Sequence, residues 1–421
     1  MKASLIIYNI GTLLNPMTSI KPLKGREMNE VETLHNAFIA IHENKIIAYG
    51  NGDYSEYNGP KTQLFDALGR LVTPGLIDSH THVVHAGSRE YEFEQKMKGV
   101  PYLDILKAGG GILSTVKATR EANYDKLYAQ AKKSLIRMMQ NGVTTVEGKS
   151  GYGLDHETEL KQLRVQKKLN ADLPLEIVPT YMGAHALPLE FKSNRTAYLD
   201  QVIALMPTIK QEDLAVFVDV FCEDGAFNVE ESLRILTAAK ELGFKLKIHA
   251  DEIYALGGVP LAVDLGATSA DHLMAIDETG IKALANSDTI ATLLPNTSFY
   301  LNSEYAPARR LLDNSIAIAL ASDYNPGSSP SENFLFTLNL AAIHIKLSPN
   351  EILNAATINA AFALDKAEEV GRIEKGKKAN IVVYDAPNWP YVLYHYATNH
   401  VVDVFIEGKH VIKNTLYREE N

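Results

Sequence analysis

His80 and His82 stand two residues apart just beyond an apolar run, Leu71–Asp78. On an extended strand this spacing turns both imidazoles to one face, where they can chelate a single metal ion. A pair of strand-end histidines bonded to backbone is the plain alternative. Other apolar runs end in similar groups. His249 closes Lys245–His249, Asp271 and His272 close Thr268–His272, and Asp323 closes Ile316–Asp323. His185 follows the run Leu175–Thr180. The chain has only 13 histidines, so five of them gathered at strand ends is not random scatter. His80, His82, His249 and Asp323 form a three-histidine, one-carboxylate set. That set suits one divalent ion, Zn2+ or Fe2+, with a position left open for water. Glu252 lies three residues beyond His249, a spacing that lets its carboxylate act as general base on a metal-activated water. His272 can donate to a developing oxyanion.

These residues need elements to hold them. Eight short apolar runs end in polar or glycine residues: Leu71–Asp78, Val143–Glu147, Leu175–Thr180, Val216–Phe221, Lys245–His249, Thr268–His272, Thr289–Leu294 and Ile316–Asp323. Segments such as Asn123–Met139 and Val229–Leu242 lie between them, with helical spacing of apolar residues. The pattern predicts an α/β fold, a (β/α)8 TIM barrel over residues 73–369, whose chemistry sits at the C-terminal ends of the strands. A doubly wound open sheet expects a glycine-rich turn after its first strand, and here Ser-His-Thr-His follows instead. The ends of the chain read differently. Ser4–Ile10, Ala37–His42, Lys45–Tyr49 and Gln63–Asp66 resemble strands, as do Asn380–Asp385, Val401–Glu407 and His410–Lys413, and Glu43-Asn44 resembles a hairpin turn. Neither end can build a stable sheet alone. Residues 1–72 and 370–421 are therefore expected to form one small β-sandwich domain.

Composition narrows the setting. The 421 residues are 46% hydrophobic and 22% charged, as in a globular protein with a large core. A net charge of -10 argues against nucleic-acid or anionic-membrane partners, which require a cationic face. The single cysteine, Cys222, rules out an intrachain disulfide and fits a reducing, cytoplasmic setting. No signal-peptide pattern or membrane span is read in the sequence. A homodimer is the default assembly.

The string Thr73-Pro74-Gly75-Leu76-Ile77-Asp78-Ser79-His80-Thr81-His82 resembles the first-strand signature of the amidohydrolases. Longer strings are similar to the imidazolonepropionase family in particular. They are His85–Glu90, Gly109–Val116, Glu147–Leu154, Gly183–Ala186, His249–Glu252 and Ser322–Pro330. The resemblance implies hydrolysis of 4-imidazolone-5-propanoate to N-formimidoyl-L-glutamate by metal-activated water. Glu252 would carry the proton to the leaving nitrogen, and His272 or His185 would polarise the carbonyl. It also implies that the small-molecule substrate presents a propanoate arm to Arg89, whose planar fork matches a carboxylate. A salt bridge from Arg89 to Glu90 or Glu92 is the competing reading. Tyr152, His185 and Glu252 would contact the substrate, and Asn325, Gly327 and Ser328 would line the pocket, with Ser329 interchangeable with Ser328. Some amidohydrolases bridge two metals through a carbamylated lysine on the fourth strand. The segment Val216–Asp224 has no lysine and Lys149 follows the second run, so one ion is expected, with Glu223 the residue placed to bridge a second. The rival activity is an aminohydrolase acting on a nitrogen heterocycle.

Overall fold

The computed structural model describes residues 1–100 and 110–414. Gly109 of the glycine string and residues 415–421 of the expected small domain lie outside the described residues.

Eight parallel strands form the central sheet: β6 (Leu76–Asp78), β7 (Val143–Lys149), β8 (Glu176–Ala184), β9 (Phe217–Cys222), β10 (Lys245–Ala250), β11 (Ser269–His272), β12 (Ile290–Leu293) and β13 (Ile318–Leu320). Their spatial order is their sequence order. The ends of the sheet meet beyond the strands, where Asp323 N–H donates to the His80 carbonyl at 3.0 Å and His82 N–H to the Tyr324 carbonyl at 2.8 Å. Asp78 reinforces the closure by accepting from the Ser322 N–H at 2.9 Å and the Ser322 Oγ at 2.5 Å. The sheet is thus a (β/α)8 barrel.

The helices form where capping and apolar spacing agree. Asn123 caps Tyr124–Gln140 by accepting from the Lys126 N–H, and Leu127, Ala131, Leu135 and Met138 make the buried stripe of that helix. Asn228 and Glu231 form a reciprocal capping box on Val229–Glu241.

The second sheet draws on both ends of the chain. It contains β1 (Leu5–Pro16), β2 (Val31–His42), β3 (Lys45–Asn51), β4 (Gln63–Asp66), β5 (Leu71–Pro74), β14 (Ile381–Tyr384), β15 (Val401–Ile406) and β16 (Lys409–Lys413). It is one continuous mixed sheet in the order β16-β15-β14-β5-β1-β2-β3, with β4 against β1. The sheet folds over itself in the manner of a sandwich: Phe65 of β4 meets Phe405 of β15 edge-on at 4.9 Å, and Ile39 and Ile41 share a core with Ile381 and Val402.

One expected strand divides. Leu71–Asp78 reads as a single run, yet Leu71–Pro74 pairs with β14 and β1, and only Leu76–Asp78 enters the barrel. Gly75 is the joint. A Cβ there would collide with the Thr144 side chain of the neighbouring barrel strand, so glycine lets the two sheets approach. Among the described residues, no helix is long and apolar enough to cross a membrane.

Candidate metal centre and its rim

The barrel mouth collects the strand-end histidines. Ligand atoms of His80, His82 and His249 lie within 4.8 Å of one another, as do those of His80, His272 and Asp323. Asp323 Oδ1 is 3.5 Å from His80 Nε2 and 3.8 Å from His82 Nε2. Its other oxygen accepts from Thr297 Oγ1 at 2.5 Å, which orients the carboxylate. Thr297 carries no sequence signal, being one hydroxyl on a short helix.

Behind the cluster, His80 Nδ1 meets Asp271 Oδ2 at 2.6 Å and His249 Nδ1 meets Asp219 Oδ1 at 3.1 Å. A neutral histidine donating Nδ1–H to a carboxylate keeps its Nε2 lone pair for a metal. Burial, then the Lys149 charge, depresses the His80 pKa well below the ordinary value, so its imidazole is neutral. The Nε2 atoms of His80 and His249 are buried without a hydrogen-bond partner. Buried polar nitrogens are rarely left unpaired, and these aim into one cluster beside a carboxylate. The donor set therefore fits a divalent metal ion.

Below lies a charged layer that sequence reasoning missed as a unit. Glu147, Lys149, Asp219, Lys247 and Asp271 are all fully buried inside the barrel. Lys149 Nζ lies 2.6 Å from Asp219 and 3.0 Å from Glu147, and Lys247 Nζ lies 2.9 Å from both Glu147 and the Ser79 carbonyl. Burial alone would raise the Asp219 pKa, but His249 and Lys149 hold it far below the carboxylate range. Burial raises the Asp271 pKa, with Lys247 and Lys149 opposing it, so the two ammoniums are balanced within a layer of three acidic side chains. The readable signal was the two-residue step from Glu147 to Lys149, which puts both on one face of β7. Lys149 is the last residue of that strand, not a loop residue after it. Glu223 is engaged elsewhere: its carboxylate accepts from the Asp224 and Ile253 N–H groups, both at 2.8 Å, and so shapes the loop carrying Glu252. Among the described residues it joins no metal-competent group.

Glu252 Oε2 sits 3.7 Å from His272 Nε2. Burial, with Asp323 and Glu223 nearby, pushes the Glu252 pKa up to about 8. His272 has a φ of 83° and Leu273 one of 64°, uncommon backbone angles for such residues. His185 stacks on His82 with ring centroids 4.8 Å apart, and its Nδ1 contacts the Gly151 carbonyl at 3.0 Å. Burial, then His249, lowers its pKa to about 3. Tyr152 packs 5.2 Å from His185 and 5.6 Å from His82. Its hydroxyl pKa is raised by burial and by Asp323 and is opposed by Arg89, so it lies within the field of both charges.

Arg89 reaches this rim and is salt-bridged there. Its Nε and Nη2 donate to Glu92 Oε2 at 2.9 and 2.8 Å. Its Nη1 rests on Gly327, where any Cβ would clash with it. Asn325 spends its side chain on its own loop, accepting from the Gly327 and Ser328 N–H groups and donating to Ser328 Oγ and the Asp323 carbonyl. It thus sets the course of the segment carrying Gly327 and Ser328. Ser329 turns away, donating to the Ser322 carbonyl at 2.7 Å.

Comparison with known proteins places the chain in a family. A family model described as the amidohydrolase family matches residues 71–411. An imidazolonepropionase from Fusobacterium nucleatum is 54% identical over 415 residues, covering 98% of this chain and 100% of that protein. One from Alkaliphilus oremlandii is 50% identical over 411 residues, covering 97% of each. Among solved structures, an adenosine deaminase from Xanthomonas campestris with bound zinc superposes with a TM-score of 0.72 at 18% identity, covering 98% of this chain and 94% of that one. At that identity the match speaks for the fold.

Proposed function

The chain belongs to the amidohydrolase family and, within it, to the imidazolonepropionases, and from that premise we propose a role for each residue of the site. The protein is a hydrolase of histidine degradation, opening 4-imidazolone-5-propanoate to N-formimidoyl-L-glutamate. A divalent metal belongs to the site. In our reading it is one ion, Zn2+ or Fe2+, held by His80, His82, His249 and Asp323. When bound, such an ion supplies Lewis acidity toward a carbonyl oxygen and makes water acidic enough to serve as nucleophile near neutral pH.

The chain's own groups do the rest. Glu252 Oε2 takes the proton of the attacking water and returns it to the departing ring nitrogen, a role its place at the rim, 3.7 Å from His272 Nε2, suits. His272 donates to the carbonyl oxygen as charge develops there. Neutral His185 already donates Nδ1–H to Gly151, so its Nε2 is an acceptor. That suits it to hold a ring N–H and leaves the carbonyl to His272. Tyr152 borders the substrate's arm, and the backbone of Gly327 and Ser328 walls it. The ring opens without a covalent enzyme intermediate.

The observation that carries the substrate assignment is Arg89, whose Nη1 lies against Gly327 at the rim and whose charge acts on the buried Tyr152 hydroxyl. A guanidinium there matches a propanoate and has no use for a neutral nucleobase. Arg89→Ala should lower kcat/KM about ten- to a hundredfold with metal content unchanged, and Arg89→Lys should recover only part of the loss. Unchanged kcat/KM in Arg89→Ala would mean that the carboxylate clamp lies elsewhere, with His185 and Tyr152 first in line. A homodimer and a cytoplasmic setting complete the proposal. Exposed Ile343 and Tyr394 end two helices that pack together, Phe334–Ile343 and Trp389–Tyr394, and with Tyr396 in the turn that follows they offer apolar surface for the first. The lone buried thiol of Cys222 fits the second.

A further inference from the structure

We propose that Glu92 is a positioning residue that sets substrate selectivity by presenting one edge of the Arg89 guanidinium to the substrate. The inference rests on the reading of Arg89 as the carboxylate clamp. Glu92 uses both carboxylate oxygens. Oε2 accepts from Arg89 Nε and Nη2 at 2.9 and 2.8 Å. Oε1 accepts from the Gly111 N–H at 3.0 Å and shares the Ser114 hydroxyl, also 3.0 Å away, with the Gly111 carbonyl at 2.8 Å. Gly111 is the N-cap of the helix Ile112–Glu121 and Ser114 lies in its first turn, so the carboxylate is fastened to a rigid element at an end favourable to negative charge. The pair is well shielded, with Arg89 and Glu92 side chains 14% and 9% exposed.

This pairing divides the guanidinium. Arginine has five N–H donors in a fixed plane. Glu92 occupies the side edge, one hydrogen on Nε and one on Nη2. Among the described residues, the end edge, formed by Nη1 and the other Nη2 hydrogen, remains, and Nη1 lies over Gly327 of the loop that follows Asp323. A substrate carboxylate therefore takes the end edge while Glu92 keeps the side edge. Because Arg89 and Glu92 cancel in charge, the site selects a carboxylate by two directed hydrogen bonds more than by net attraction. A rotated or unheld guanidinium loses that match even though its charge is still present. Glu92 thus acts through Arg89 and does not merely compete with the substrate.

The two roles separate by experiment. The probes are imidazole-4-propanoate, which carries the arm, and 4-methylimidazole, which lacks it, each measured as a competitive inhibitor of the metal-loaded enzyme. Glu92→Ala should raise the inhibition constant of imidazole-4-propanoate and the KM of the substrate about ten- to a hundredfold, as misplacing a clamp does. It should leave kcat and the 4-methylimidazole constant unchanged. Glu92→Gln, whose single carbonyl oxygen cannot serve both Arg89 and the helix, should fall between wild type and Glu92→Ala. Ser114→Ala, which removes one anchor and no charge, should shift the same two constants in the same direction, and it carries the test if Glu92→Ala fails to fold. Unchanged or tighter binding of imidazole-4-propanoate in Glu92→Gln and Ser114→Ala would overturn the proposal, as would equal weakening of both probes. Arg89→Ala is the control. If it weakens imidazole-4-propanoate while the Glu92 and Ser114 variants do not, only the role of Glu92 falls. If Arg89→Ala changes nothing, the clamp reading itself falls.

Discussion

The backbone N–H of Asp323 donates to the carbonyl oxygen of His80 at 3.0 Å, so the barrel is closed by the segments that carry its candidate ligands. The metal site and the seam of the fold are the same place. Asp78 and Ser322 lie one turn of chain below, joined by two hydrogen bonds. Ser322→Ala deletes the Oγ bond to Asp78 and with it the acceptor of the Tyr324 N–H, at a cost of about 1–3 kcal/mol. Thermal unfolding of the metal-free variant should show that loss, and an unchanged midpoint would mean the seam does not depend on this bond.

Removing a ligand should act on the metal before it acts on the fold. His249→Ala should bring the metal-to-protein ratio close to zero while the far-ultraviolet spectrum stays that of the wild type. Elemental analysis beside circular dichroism reads both. A full metal complement in His249→Ala would remove His249 from the ligand set.

Asp219→Asn should weaken metal binding about 10–100-fold, the usual consequence of losing the partner that orients a ligating histidine. The variant also removes one of the two carboxylates hydrogen-bonded to Lys149, leaving Glu147 at 3.0 Å, so its apo-protein should be less stable than wild type. Competition with a chromophoric chelator measures the affinity. Wild-type affinity in the variant would show that His249 is oriented by something else.

Glu252→Gln should lower kcat about 10²–10⁴-fold with little change in KM, as expected for loss of a proton carrier. Because burial raises the Glu252 pKa, the folded apo-protein holds this proton more tightly than the unfolded chain does. Apo stability should therefore fall as pH rises from the ordinary carboxylate range toward about 8. Glu252→Gln should flatten that slope, and urea unfolding across the interval measures it. An identical slope in the variant would assign the titration to another group.

Gly327→Ala should raise KM for the propanoate substrate about tenfold, because the new Cβ displaces Arg89 Nη1 and with it a charge-assisted hydrogen bond. Metal content should not change. Steady-state kinetics with wild-type KM would show that the guanidinium is not held by this loop in the working enzyme.

The histidine cluster was legible because each of its members ends or directly follows an apolar run, where a barrel gathers its chemistry. The buried charges were not, because Asp219 and Lys247 sit singly inside strands and only the closed barrel brings them together. Gly75 was hidden for another reason. Leu71–Asp78 is apolar throughout, and only pairing with Ile381–Tyr384, some three hundred residues away in sequence, reveals that its first half belongs elsewhere. The competition at Arg89 also had to wait for coordinates. The salt bridge to Glu92 and the substrate clamp looked like rival readings in sequence, and the geometry leaves room for both on different edges of one guanidinium.

The most direct test of the account is turnover of 4-imidazolone-5-propanoate by the purified protein, with bound metal counted in the same sample. The account predicts one divalent ion per chain and release of N-formimidoyl-L-glutamate. Activity should be lost on chelation and restored by Zn2+ or Fe2+. Turnover that survives complete removal of metal would contradict it, as would a metal-loaded protein that leaves this substrate intact while releasing ammonia from a nitrogen heterocycle.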